Sequence, residues 1–332
     1  MRRLLLSVLL LSAHVAAAAA PESGRMDGKV FGDYYYVAAH HDHDLRDRNG
    51  FWFRRVQLGY TRFLGGGWSG RIRMEFASPG DFRSDDLLLP DLKDAYLQWQ
   101  GRQCAVVMGL SRTPTVAGLQ RAWGYRAVEK VLSDLHKMGG SRDTGLQVRG
   151  HAGRWRYAVM LANGSGKRAE ANKQKKIMAA LGRRLSGTLS AELYGDYEGR
   201  PDDRDRWTVQ GWLAARADTW RAGVAALAQT RRQGPGAGQH TTAIGMLFGA
   251  ARLSPHWWGF ARVDRLFDPS PGGEAIDYLP FAPDSRATLC IAGLEWRPQP
   301  GVHLMPNVEV VAYDRAGLDT DVMPRVTLFY AF

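Results

Sequence analysis

Apolar and polar residues alternate with a period of two along most of this 332-residue chain. The alternating segments are joined by connections that are tight and long in turn. Val56, Leu58 and Tyr60 alternate with Arg55, Gln57, Gly59 and Thr61, and Ile72, Met74 and Phe76 with Arg71, Arg73 and Glu75. Later, Trp155, Tyr157, Val159 and Leu161 alternate with Arg156 and Ala158. Successive side chains of a strand face opposite ways, so each segment reads as a strand with one apolar and one polar face. Strands are expected at 29–38, 51–63, 67–77, 91–100, 104–111, 141–149, 154–162, 175–185, 188–197, 206–217, 219–229, 241–252, 257–265, 286–296, 301–312 and 321–332. Every second connection is tight: 64–66, 101–103, 150–153, 186–187, 218, 253–256 and 297–300. The others are long and charged: 39–50, 78–90, 112–140, 163–174, 198–205, 230–240 and 266–285. A soluble sandwich alternates in polarity but not in loop length. The combination predicts an all-β chain, an antiparallel transmembrane β-barrel of about sixteen strands.

The two ends of the chain agree with this. Arg2 and Arg3 precede the apolar run Leu4–Leu11 and a small-residue tract ending near Ala20, the pattern of a cleaved secretory signal over residues 1–20. Its removal lowers the formal charge of +11 by two and leaves a single basic barrel domain, 21–332. No other run approaches the ~18 apolar residues of a membrane helix. The expected location is therefore the outer membrane of a Gram-negative bacterium, against lipid and lipopolysaccharide. At the other end Val326, Leu328, Tyr330 and Phe332 share one face. A terminal aromatic of this kind resembles the signal read by the barrel-assembly machinery. Trp68, Trp99, Trp155, Trp207, Trp220, Trp257 and Trp296 fall near strand ends, where barrels carry aromatic girdles. Cys104 and Cys290 lie in different strands and read as two small apolar side chains, not a disulfide.

If the apolar face meets lipid, the polar face lines a lumen. By alternation that face holds Arg55, Arg71, Arg73, Arg149, Arg154, Arg156, Arg221, Arg262 and Arg325, against Glu75, Asp94, Glu192, Glu295 and Glu309. Arginine outnumbers carboxylate, and a low-dielectric wall around narrow water focuses such a field and favours anions. Screening over about 8 Å would erase selectivity in a wide pore. The segment Arg112–Gly140 is the longest that does not read as a strand, and it is expected to fold inward as the third long loop and narrow the lumen. A partial helical pattern over Trp123–Leu135, with Val128, Leu132 and Leu135 on one side, suits packing on the wall. Arg121, Arg126 and Lys130, with Arg112, are the expected loop side of the constriction. Arg55, Arg71, Arg73 and Arg149 are the expected facing wall.

Other groupings read more plainly. His40, His41, Asp42, His43 and Asp44 are metal-capable residue types, but adjacent residues of one loop seldom converge on an ion; a solvated loop with no metal is expected. Lys167, Arg168, Lys173, Lys175 and Lys176 suit a solvated basic loop or contact with lipopolysaccharide phosphates. Gly65-Gly66-Gly67 is a tight turn. No nucleophile elbow and no phosphate-cradling glycine loop is present, so neither an enzyme nor a cofactor is called for, and nothing points to nucleic acid.

Arg54-Arg55-Val56-Gln57-Leu58-Gly59, Lys93-Asp94-Ala95-Tyr96-Leu97, Arg112-Thr113-Pro114, Trp123-Gly124-Tyr125-Arg126, Arg142-Asp143-Thr144-Gly145 and Asn163-Gly164 occur in this order. As an ordered set they resemble the phosphate-selective porin O and P family. That resemblance implies a sixteen-stranded trimeric barrel with an inward third loop, and an arginine- and lysine-rich path for phosphate or polyphosphate. The third loop here holds two lysines, Lys130 and Lys137. The expectation is a passive channel preferring inorganic or small organic anions. A general or other-solute porin, a non-conducting barrel and a barrel enzyme are the alternatives.

Overall fold

The computed structural model describes residues 23–332; the expected signal, 1–20, lies outside the described residues. Sixteen strands follow one another: β1 (Gly24–Tyr36), β2 (Asn49–Gly65), β3 (Trp68–Ala77), β4 (Leu89–Gln100), β5 (Cys104–Arg112), β6 (Arg142–Ala152), β7 (Trp155–Ala162) and β8 (Lys176–Arg184), then β9 (Leu189–Glu198), β10 (Arg206–Arg216), β11 (Trp220–Arg232), β12 (Gln239–Arg252), β13 (Trp257–Leu266), β14 (Ala287–Gln299), β15 (Val302–Tyr313) and β16 (Asp321–Ala331). Each pairs antiparallel with its neighbours in sequence, and β1 pairs with β16 from Lys29↔Ala331 to Tyr35↔Arg325, closing the barrel. Closure leaves no unpaired edge, which a sheet in lipid requires.

The outer surface is apolar where water would not tolerate it. Phe51 is 86% exposed and Leu193 62%, with Ile72, Val159, Val209 and Leu247 also exposed. A continuous band of this kind faces hydrocarbon. Trp68, Trp155, Trp220, Trp257 and Trp296 ring the short-turn end, with Trp257 and Trp296 stacked at 6.3 Å. Tyr34 and Phe51 pack at 4.9 Å toward the long-loop end.

Two register shifts, away from the short turns, break the alternation of the inner face. In β2 the pairing with β1 shifts between Phe31 and Gly32, and in β4 the pairing with β3 shifts between Arg73 and Met74. Each bulge inserts one residue and turns two consecutive side chains inward. Arg54 and Arg55 are one pair, Lys93 and Asp94 the other; Arg54, Lys93 and Asp94 are all buried.

The interior is not polar all round, as alternation alone predicted. From β10 to β16 the inward face carries Trp212, Leu227, Ile244, Met246, Phe248, Phe260, Ile291 and Met323, all buried. The third long loop supplies the matching surface. Helix α1 (Pro114–Trp123) and the single turn α2 (Leu132–Leu135) pack Val116, Leu119, Trp123, Val128, Leu132 and Leu135 into the same core. The helix thus precedes the stretch where the pattern placed it. Pro114 presets its first turn, and Gly124, at φ +79°, caps it in a left-handed conformation that stops it at Trp123. The seventh loop folds inward as well, burying Ile276, Leu279 and Phe281. Its Tyr278 hydroxyl donates to the carbonyls of Arg54 at 2.8 Å and Ser78 at 2.9 Å.

Candidate functional site

The loop is fixed to the wall mainly by its backbone. Gln210 Nε2 donates to Thr115 O at 2.9 Å, Gln229 Nε2 to Met138 O at 2.6 Å and Arg262 Nη1 to Lys130 O at 2.6 Å. Arg54 Nη1 donates to Val128 O at 2.9 Å while its Nε sits 2.6 Å from Asp33. The Thr115 hydroxyl donates to Tyr194 Oη at 2.7 Å, and Tyr125 Oη to Glu295 at 2.9 Å. Arg262, Arg325 and Arg54 thus hold loop carbonyls, with Asp264, Glu309 and Asp33 as their carboxylates. Charges paired and hydrogen-bonded in this way are structural, and no solute reaches them.

The space left open lies on the opposite side, between α1 and strands β3 to β9. It is a cavity of about 520 Å³ lined by Arg71, Arg73, Arg112, Arg121, Arg142, Arg149 and Arg156, with Asp94 and Glu192 as the only carboxylates of its lining. It extends to Gln103 and His151 near the short turns. Toward the long loops it meets a second cavity of about 220 Å³ at Thr113 and Arg142, which line both. That outer chamber carries Lys137, Arg168, Lys176, Arg200 and Arg206.

Helix α1 is the inner wall. Gly118 faces β9, where the carboxylate of Glu192 occupies the space a side chain would take and would have to move aside for one. The last turn then presents Arg121 to Arg149 and Arg156. Burial, and after it the neighbouring Arg156 guanidinium, push Arg121 below the ordinary arginine value. Arg71 and Arg73 share Asp27, at 2.6 and 2.8 Å, and each lies 3.5 Å from Asp94, which Arg142 holds at 2.5 Å, so three guanidiniums share two carboxylates. Arg149 donates to Gln98 Oε1 at 2.8 Å. Among the described residues Arg112, Arg121, Arg149 and Arg156 have no carboxylate within salt-bridge distance. Glu192, which stands near Arg121, accepts from Trp212 Nε1 at 3.0 Å.

Of the residues expected from sequence, Arg71, Arg73, Arg112, Arg121 and Arg149 therefore share one cavity. Arg55, Arg126 and Lys130 lie elsewhere. Arg55 is 3.9 Å from Glu75, Arg126 3.5 Å from Asp134, and Lys130 3.1 Å from Asp277 of the seventh loop. Burial first, then the nearby Arg55, lower the Lys130 ammonium, while Lys130 and Lys137 hold Asp277 below the usual carboxylate range despite burial. Arg142 was missed by sequence reasoning. Its signal was Asp94, a lone acid on a basic face, which needs a buried partner. The first loop also departs from expectation: His40 is 1% exposed, packed with His41 against Asp321 of β16, whereas His43 stays in solvent at 71%. Cys104 and Cys290 are both free thiols, on β5 and β14.

No family model matches the chain, and no curated protein matches it in sequence. Solved structures do share its fold. An anion-selective porin from Comamonas acidovorans superposes with a TM-score of 0.71 at 16% identity, covering 94% of this chain and 100% of that one. The outer membrane channel DcaP of Acinetobacter baumannii gives 0.69 at 14% identity, covering 94% and 97%. OmpT in its trimer form, an outer membrane protein of Vibrio cholerae, gives 0.61 at 10% identity, covering 94% and 99%. At these identities the likeness is one of fold: the sixteen-stranded porin barrel.

Proposed function

We propose that this protein is an outer-membrane porin through which small anions diffuse passively along the arginine-lined side of the barrel. The observation that carries the reading is the charge balance of the inner cavity, seven arginines against two carboxylates. Among the described residues Arg112, Arg121, Arg149 and Arg156 line the cavity without a carboxylate at salt-bridge distance, so a passing anion can serve as their partner. A guanidinium keeps its charge and offers paired N–H donors that fit phosphate and carboxylate oxygens. The resemblance of the ordered motifs to those of the phosphate-selective porins is the ground for favouring phosphate among the anions. The fold shared with an anion-selective porin supports the general preference. Arg71 and Arg73 contribute field and shape, while Arg55 pairs with Glu75 within the wall, Arg126 with Asp134 within the third loop, and Lys130 ties that loop to Asp277 of the seventh. No step of this transport needs a cofactor or a chemical reaction.

The test is a planar-bilayer reversal potential in a KCl gradient. The expected sign is that of chloride permeation, and millimolar phosphate should reduce the chloride current. A cation-selective potential overturns the reading. A homotrimer is the expected assembly, as in the trimer form of OmpT. It should appear as a slow band on unheated gels that collapses to a single-chain band on boiling.

A further inference from the structure

One cluster takes no part in the channel. The first long loop docks on the start of β16, where Ala38 N donates to Val322 O at 2.9 Å and Val322 N to Ala39 O at 2.9 Å. Directly beside that bridge the rings of His40 and His41 stack at 4.3 Å over the carboxylate of Asp321. His40 and Asp321 are each 1% exposed, and the His41 side chain 9%.

The carboxylate is well oriented. It accepts from the His41 amide at 2.6 Å and from His41 Nδ1 at 2.9 Å, and the Tyr313 hydroxyl donates to its other oxygen. His40 is not satisfied. Its Nδ1 accepts from the Asp42 amide at 3.0 Å, but its Nε2 is buried, has no hydrogen-bond partner and stands 3.9 Å from Asp321 Oδ2. That gap is too long for a hydrogen bond. One ligand atom from each of the three residues lies within 4.8 Å of the others. Ligand atoms around tetrahedral Zn²⁺, bound at ~2.0–2.2 Å, are roughly 3.3 Å apart. A shift of about half an ångström therefore turns the gap into a coordination edge.

We propose that His40, His41 and Asp321 bind one divalent transition-metal ion of the zinc class, which clasps the first loop to the last strand at the closure seam. Two imidazoles and one carboxylate are a borderline donor set that suits Zn²⁺ over Ca²⁺ or Mg²⁺. Tyr313 lies 3.1 Å from His41 Nδ1 and serves as the outer partner that aims the carboxylate. Water completes the coordination. On loading, both rings stay neutral: His40 moves its proton from Nε2 to Nδ1 and releases the Asp42 amide to the loop surface, and His41 moves its proton from Nδ1 to Nε2. His43 and Asp319, 3.3 Å apart and exposed, stand at the solvent side between the first long loop and the connection from β15 to β16.

The experiment is zinc titration of the chelator-treated, folded barrel in detergent by calorimetry. Zn²⁺ should bind one ion per chain, lose at least tenfold in affinity in H40A and D321N, and keep its affinity in H43A. It should raise the unfolding temperature of the wild type and not of H40A. Absence of one-to-one binding in the wild type, or binding that survives H40A, overturns the proposal. Both of those readouts stand even if D321N does not fold.

Discussion

Two halves of one barrel interior use opposite physics. On the β10–β16 side Phe248, Phe260 and Trp258 meet Trp123 and Tyr125 of the loop, with Tyr125 and Phe260 stacked at 4.3 Å. Arg262 there is closed off by Asp264 and the Lys130 carbonyl, and Arg325 by Glu309. On the β3–β9 side Arg112, Arg121 and Arg156 stand around the cavity with no carboxylate at salt-bridge distance among the described residues. The dry half makes the loop rigid, and the wet half uses that rigidity to hold a charge in a solute's path. Neither is sufficient alone: a loop held less firmly would let Arg121 retreat from Arg149 and Arg156, and a neutral wet wall would leave nothing to select.

The largest expected effect lies in the dry half. Trp123 is fully buried, at 0% exposure, so Trp123→Ala should cost about 3–5 kcal/mol in urea unfolding from lipid vesicles. It should also add open-channel noise. Arg121→Ala, at an exposed position, should cost no more than about 0.5 kcal/mol; equal costs would break the comparison.

The next effect is a pH dependence of the loop's hold. Burial, and then the charge of Arg262, press His136 from 6.5 down to about 3, so it is neutral where Nδ1 meets Ser270 Oγ at 2.9 Å. Below 6.5 the released loop takes up a proton that the packed loop refuses. Stability should therefore fall as pH drops from 6.5 toward 3, by at most about 1.4 kcal/mol per pH unit, read by hydrogen exchange of residues 132–139. A His136→Gln variant should flatten that slope.

Selectivity should respond in the wet half. Opposite charges at 4 Å in water interact by about 1 kcal/mol, so reversing the charge in Arg121→Glu shifts an anion by about 2 kcal/mol and a cation by as much the other way, and should lower the anion-to-cation permeability ratio by more than about tenfold. Reversal potentials read this directly; an unchanged potential would place the filter elsewhere. The smallest effect belongs to Lys137, a half-exposed partner of Asp277 at 3.5 Å. Lys137→Ala should change stability by less than about 1 kcal/mol and selectivity little. A large shift in selectivity would instead extend the wet half to the outer chamber.

The barrel was legible because period-two patterning and loop length are local properties, and every expected strand is present. The division of its interior was not. Ile244, Met246 and Phe248 point inward, but their outward neighbours are Gly245, Leu247 and Gly249, so β12 shows no polar face to read. Which of two weakly distinguished faces meets lipid depends on the loop that packs against one of them. Arg121 and Arg149 could be found because each lies on a polar surface flanked by apolar positions. Arg126 and Lys130 look identical in sequence, and only the inward fold of the seventh loop, which brings Asp277 to Lys130, separates their environment from the cavity. The buried His40 was hidden for the same reason: its partner Asp321 is remote in sequence.

The bulges at Arg54 and Lys93 have one more consequence. Each acts as a phase shifter: residues on its two sides keep time with different beats of the same strand. In β2, Gln57 and Thr61 face the lumen on one side of the shift, and Trp52 does so on the other, with Phe51 and Phe53 outside. Deleting Arg54 would remove the extra residue and restore a single beat with Phe31 still opposite Arg55, Gly32 still opposite Phe53, Phe51 and Phe53 still outside and Trp52 still inside; what is lost is the side chain that holds the Val128 carbonyl and Asp33. The extra residue therefore matters at this position for the side chain it adds to the interior and not for the phase of its neighbours, and both Arg54→Gln and a deletion of Arg54 should leave the barrel assembled while loosening the third loop.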